Sequence, residues 1–161
     1  MGITKRLLLV MFAMPFCCLG NTAAHAQISV TTARQLSFGA FSQGNAGGTV
    51  QVLADGTRSS TGDVILLNMG FLYFPAIFEV EAPQGTVINI MNGPDVPLTG
   101  SNGGSMTLHI GSSDQTLPFV SNAVPPARTS VKIGATLTVG TRINNPPGSY
   151  SGTFTITFIQ E

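Results

Sequence analysis

The sequence predicts an all-β protein, a single antiparallel β-sandwich, on three observations. Apolar and polar residues alternate in short runs, the period of a strand with one buried face. The clearest run, "SYSGTFTITF", puts Tyr150, Gly152, Phe154, Ile156 and Phe158 on one face and Ser149, Ser151, Thr153, Thr155 and Thr157 on the other. Gly, Ser, Thr, Asn and Pro are scattered throughout, and no window keeps a helical period. The dipeptides Asp55-Gly56, Asn92-Gly93 and Asn102-Gly103 tolerate positive φ and are expected to close tight hairpins.

Taken in order, the chain starts with a secretory signal. Lys5 and Arg6 precede an apolar run from Leu7 to Leu19, then Ala24, His25 and Ala26 supply the small residues before a cleavage site. The run is short for a membrane span. Residues 1–26 are therefore expected to be removed, leaving 135 residues, Gln27 to Glu161, as one domain without a transmembrane span. Cys17 and Cys18 both lie in the leader, so the mature chain is expected to carry no disulfide.

Strands are expected over Ile28 to Thr32, Leu36 to Phe41, Thr49 to Leu53, Val64 to Leu67, Ala76 to Glu81, Thr86 to Met91, Met106 to Ile110, Val131 to Val139 and Tyr150 to Ile159. The last two alternate alike and are expected to pair with each other across Thr141 to Ser149, where two prolines fix φ and make a loop. Gly152 marks a bulge or a close backbone approach. Val131, Ile133, Leu137, Val139, Phe154, Ile156 and Phe158 are the expected core. The final strand is expected to complete that core, with Gln160 and Glu161 blunting its end.

Two segments stand out as contact candidates. In "VILLNMGFLYFPAIFEV" the preferred reading tucks Asn68 to Phe74 under the sandwich. The alternative exposes Met69, Phe71, Leu72, Tyr73 and Phe74 as a patch for another subunit or a surface. At the N-terminus, Ile28 and Val30 alternate as a strand donated to a neighbour would, but Thr32 and Arg34 break the pattern. The preferred reading makes Ile28 to Thr32 the chain's own first strand.

Catalytic chemistry is hard to assemble from this composition. The mature part holds five cations, Arg34, Arg58, Arg128, Lys132 and Arg142, against seven carboxylates, a net charge of −2 with no basic stripe for nucleic acid. His109 is its one histidine, and triads or metal sites need several converging groups. It reads as a strand histidine facing solvent or a hydrogen bond. Asp55, Asp63, Asp95 and Asp114 sit near turns, where aspartate caps backbone, and lack calcium-loop spacing. Glu79 and Glu81 share one strand face. No catalytic, cofactor-binding or metal-ligating residue is assigned, and an enzyme is not expected.

Phe38-Gly39, the run Gly47-Gly48-Thr49-Val50, Asp55-Gly56 followed by Arg58, and the ending Pro147-Gly148-x-Tyr150-x-Gly152-x-Phe154 resemble a bacterial secreted family, domain of unknown function 4402 (DUF4402). The ending is more distantly similar to spore coat U-type proteins and chaperone-usher pilin subunits. The resemblance covers nearly all of residues 27–161 and implies a small immunoglobulin-like or pilin-like sandwich exported to the periplasm, cell surface or medium. It implies identical or related subunits and a periplasmic chaperone as partners. The function expected is a structural or adhesive surface subunit, of the pilus or coat kind. The alternative is a freestanding periplasmic or secreted binding module, with loops such as Ser101 to Ser105 or Leu117 to Arg128 meeting a ligand.

Overall fold

In the computed structural model, residues 27–161 are described, and the signal read over residues 1–26 lies outside them. The described residues form β1 (Ser29–Arg34), β2 (Ser37–Phe38), β3 (Phe41–Val52), β4 (Arg58–Leu66), β5 (Tyr73–Phe74), β6 (Ala76–Glu81), β7 (Val87–Asn92), β8 (Val96–Gly100), β9 (Ser105–Ser113), β10 (Phe119–Val120), β11 (Thr129–Val139), β12 (Tyr150–Ser151) and β13 (Ile156–Gln160). Every strand pairing is antiparallel, and the all-β expectation holds.

The alternation in β11 organises the main sheet. Its odd residues Val131, Ile133, Ala135, Leu137 and Val139 are buried, while Lys132 and Thr138 face solvent. One edge of β11 is shared: Thr129 to Ile133 pair with β6, and Ala135 to Val139 with β3. Its other edge takes β9. Outward from these, β1 joins β6, β4 joins β3, and β8 then β12 extend from β9. The facing layer is split into a three-stranded sheet, β10–β7–β13, and a separate pair, β2–β5.

This arrangement corrects the expected pairing of the last two strands. Both edges of β11 are occupied, so the C-terminal run passes it by and crosses between layers. Tyr150 and Ser151 pair with β8 in the main sheet, whereas Ile156 to Gln160 pair with β7 in the other. Parity survives the crossing: Phe154, Ile156 and Phe158 are half-buried against the core, and Thr153, Thr155 and Thr157 are exposed. Gly152 makes a close approach, since a Cβ there would stand 2.8 Å from Leu98 Cδ2 and 3.0 Å from the Pro97 carbonyl oxygen.

Two of the turn dipeptides behave as expected. Asp55-Gly56 closes the β3–β4 hairpin, and Asn102-Gly103 joins β8 to β9. Asp55 Oδ1 accepts the Thr57 N–H at 2.8 Å, and that backbone bond, then the Thr57 side chain, holds the carboxyl below its ordinary value. Asn92-Gly93 does not close a hairpin. It carries the chain from β7 to β8 in the other layer, and the Gly93 N–H is tied to the Thr155 carbonyl at 2.9 Å.

The β3–β4 hairpin carries a large bulge. Register jumps between Gln43 and Gly48, and Asp63 Oδ2 accepts the loose N–H groups of Asn45 (2.7 Å) and Ala46 (3.3 Å). Glycine is required here: Gly62 has φ +67°, and a Cβ would meet the Gly47 carbonyl oxygen at 2.6 Å.

Candidate functional site

The split in the second layer leaves a groove of about 640 Å³. One wall is the Gln35–Gln43 segment carrying β2; the other runs from Pro146 to Gly152 and on to Phe154. Its floor is the inner face of the main sheet, with Leu98 from β8, Met106 and Leu108 from β9, and Leu137 from β11. β2 pairs with β5 over two residues, Ser37 and Phe38. On the opposite wall the ladder stops at Ser151 and resumes at Ile156, leaving Gly152 to Thr155 between the two sheets. The groove therefore lies between the β2–β5 pair and the stretch of chain that crosses from one layer to the other.

Three side chains hold the walls in place. Asn145 is 1% exposed. Its amide donates to the Ser105 carbonyl at 2.6 Å, its side-chain oxygen accepts the Gly140 N–H at 2.5 Å, and its main-chain carbonyl accepts from the Gln43 side chain. It thus ties the exit of β11 to the start of β9 and to β3. The Tyr150 hydroxyl donates to the Pro146 carbonyl at 2.7 Å and so stiffens the proline loop. Arg58 Nη2 donates to the Ala40 carbonyl at 2.5 Å, which also accepts the Leu67 N–H at 3.0 Å. The guanidinium lies 5.0 Å from the centre of the Tyr73 ring, and burial pushes it down from its ordinary value against the opposing pull of Tyr73.

The Leu67–Pro75 connection rises from the rim. Met69, Phe71 and Leu72 are 65%, 67% and 75% exposed, and Tyr73 is exposed as well. Phe74 alone of the five is half-buried, with the Arg34 guanidinium 4.9 Å from its ring centre. The preferred reading, in which this loop tucks under the sandwich, is thus corrected. Phe38 already occupies the core beside β5, and a buried loop would strand its backbone polar groups without partners. Phe71 also lines the groove, so groove and exposed patch are continuous. Arg142 is the one charged residue among those lining it.

The first-strand candidates lie elsewhere. β1 forms the edge of the main sheet on β6, with Ile28 half-buried against the core and Val30 36% exposed. His109 Nδ1 lies 2.7 Å from Asp95 Oδ1 on the outer face, with both side chains exposed. Asp55, Asp63 and Asp114 each accept backbone N–H groups, that of Lys132 in the case of Asp114. Among the described residues no group of three or more His, Cys, Asp or Glu converges to hold a metal ion, and no helix is long and apolar enough to cross a membrane.

Residues 28–159 match the family described as Domain of unknown function (DUF4402). The chain is a DUF4402 protein. No curated protein and no solved structure matches it. The residues on which the resemblance rested do architectural work in this DUF4402 chain. Gly39 (φ +67°) and Arg58 shape one groove wall, Gly47 and Gly48 sit in the hairpin bulge, and Tyr150, Gly152 and Phe154 build the other wall. Sequence reasoning missed Asn145 because an asparagine in "NNPPG" carries no periodic signal and reads as loop. It missed the groove because its walls and floor come from segments far apart in the chain, which no local pattern brings together.

Proposed function

We propose that this DUF4402 protein is a non-enzymatic, exported structural or adhesive subunit of a bacterial surface structure of the pilus or coat kind. In this reading Ala26 is the end of a cleaved signal, and the mature chain works in the periplasm, at the cell surface or outside the cell. Its partners are identical or related subunits, with a periplasmic chaperone during export. The observation that carries the reading is the open groove running into the exposed Met69, Phe71 and Leu72. Continuous apolar surface of this kind on a charge-poor chain favours contact with another protein surface.

Sedimentation velocity of the chain Gln27–Glu161 over a wide concentration range tests it. Concentration-dependent oligomers are expected, and Phe71→Ser with Leu72→Ser should shift them towards monomer. A second reading, a freestanding binding module, draws support from the groove volume of about 640 Å³, which falls among those that hold small ligands, roughly 300–1,000 Å³. A chain that stays monomeric at every concentration would remove the subunit reading in favour of this one.

A further inference from the structure

We propose that the groove binds an anionic amphiphile with a single apolar chain, of the fatty-acid kind, with its carboxylate at Arg142 and its chain on the apolar floor; this rests on the second reading above, of the groove as a ligand site. The floor selects the chain, and the distribution of charge selects the head group.

The floor is one continuous apolar block. Leu137 of β11 stands opposite Leu108 of β9, and Met106 of β9 opposite Leu98 of β8, so the four side chains come from three adjacent strands in register. Phe154 and Phe71 carry the same surface up the walls to the mouth. Two buried side-chain polar atoms lack partners among the described residues, Arg58 Nε and Ser121 Oγ, and neither residue lines the groove. Nothing buried there calls for a polar ligand body, whereas an apolar chain removes the exposed part of the floor from water. The volume of about 640 Å³ suits a small ligand.

Charge around the groove is opposite to that of the whole chain. Residues 27–161 carry seven side-chain carboxylates against five cations, a net of −2, yet none of the seven lines the groove and Arg142 does. Arg142 is exposed and makes no ion pair among the described residues, whose two pairs are His109–Asp95 and Arg128–Glu81. Its backbone is held firmly. The Asn144 and Asn145 N–H groups both donate to the Thr141 carbonyl, at 3.0 and 2.9 Å, and Asn145 anchors this turn to β9 and β3. A guanidinium fixed at the end of an apolar floor offers a carboxylate two parallel N–H donors. A cationic head group would meet a like charge there, and a neutral one would gain no charge-assisted bond.

Methionine methyl groups separate the site from the surface. Residues 27–161 contain three methionines: Met106 on the floor, Met69 exposed on the rim loop and Met91 exposed on β7 in the other sheet. In methyl NMR of the chain Gln27–Glu161 at neutral pH, decanoate below its micelle concentration is expected to move the Met106 signal saturably and leave Met91 in place. Affinity should rise about fourfold for each methylene added from octanoate to dodecanoate. Arg142→Glu, a change at an exposed side chain, is expected to weaken decanoate about tenfold or more and to strengthen decyltrimethylammonium. The parent chain should already prefer decanoate to decyltrimethylammonium, which tests the head group even if the variant fails to fold. Equal binding of the two amphiphiles, unchanged by Arg142→Glu, would overturn the role of Arg142 and leave the groove standing as a ligand site. If neither amphiphile moves Met106, or if Met91 shifts in step with it, the proposal and the ligand-site reading both fall.

Discussion

Asn145 shows how much one polar residue can hold in a fold poor in charge. Replacing it by alanine leaves the Gly140 N–H and the Ser105 carbonyl unpaired in a buried site, each at a cost of about 1–3 kcal/mol. Asn145→Ala is therefore expected to lose about 3 kcal/mol of unfolding free energy in urea titration, a large share of the roughly 5–15 kcal/mol a domain has. A loss under about 0.5 kcal/mol, the size of an ordinary surface change, would mean that the three segments are held by something else. Side-chain parity gives a second residue-scale expectation. Phe154 packs half-buried against the core and Thr155 faces solvent, so Phe154→Ala should cost about 2 kcal/mol or more and Thr155→Ala within about 0.5 kcal/mol. Thermal melts of the pair, showing equal shifts, would contradict the assignment.

Stability among the elements should follow the ladder. β11 is bonded along both edges to β3, β6 and β9, and its inner face is wholly buried. β1 is bonded along one edge and buries none of its six residues. Amide exchange is expected to be slowest in Ile133 to Leu137, near the global unfolding limit, and orders of magnitude faster in Val30 to Thr32. Comparable protection in the two strands, measured by hydrogen exchange, would show β1 to be an integral part of the core. The same contrast explains which elements were legible. β11 and β13 alternate cleanly. β8 escaped notice because Pro97 argues against a strand, although the residue lies in β8 facing Thr107. The first half of β4, "RSSTG", offers no apolar alternation because β4 is an edge strand bonded to β3 alone, and these five residues are exposed or half-buried.

For the molecule as a whole, the decisive question is whether the body stands without its first strand. Because β1 contributes edge pairing and little burial, deletion of Gln27–Arg34 is expected to leave a chain that melts cooperatively, with its far-ultraviolet circular dichroism largely retained. Collapse of the cooperative transition would place β1 among the structural strands.

The sequence by itself determined the all-β class, the family, the inward faces of β11 and of the C-terminal run, and the scarcity of groups for catalysis. These follow from local alternation and residue chemistry, which act over a few neighbours. Only the tertiary structure decided that the C-terminal run crosses from β8 to β7, since that depends on both edges of β11 being already taken by strands distant in the chain. It alone decided that Phe71 and Leu72 stay in water and that a groove opens beside them. An apolar residue is buried only where distant elements close over it, and Phe71 stands on the lining of a groove whose walls and floor are brought together from segments far apart in the chain.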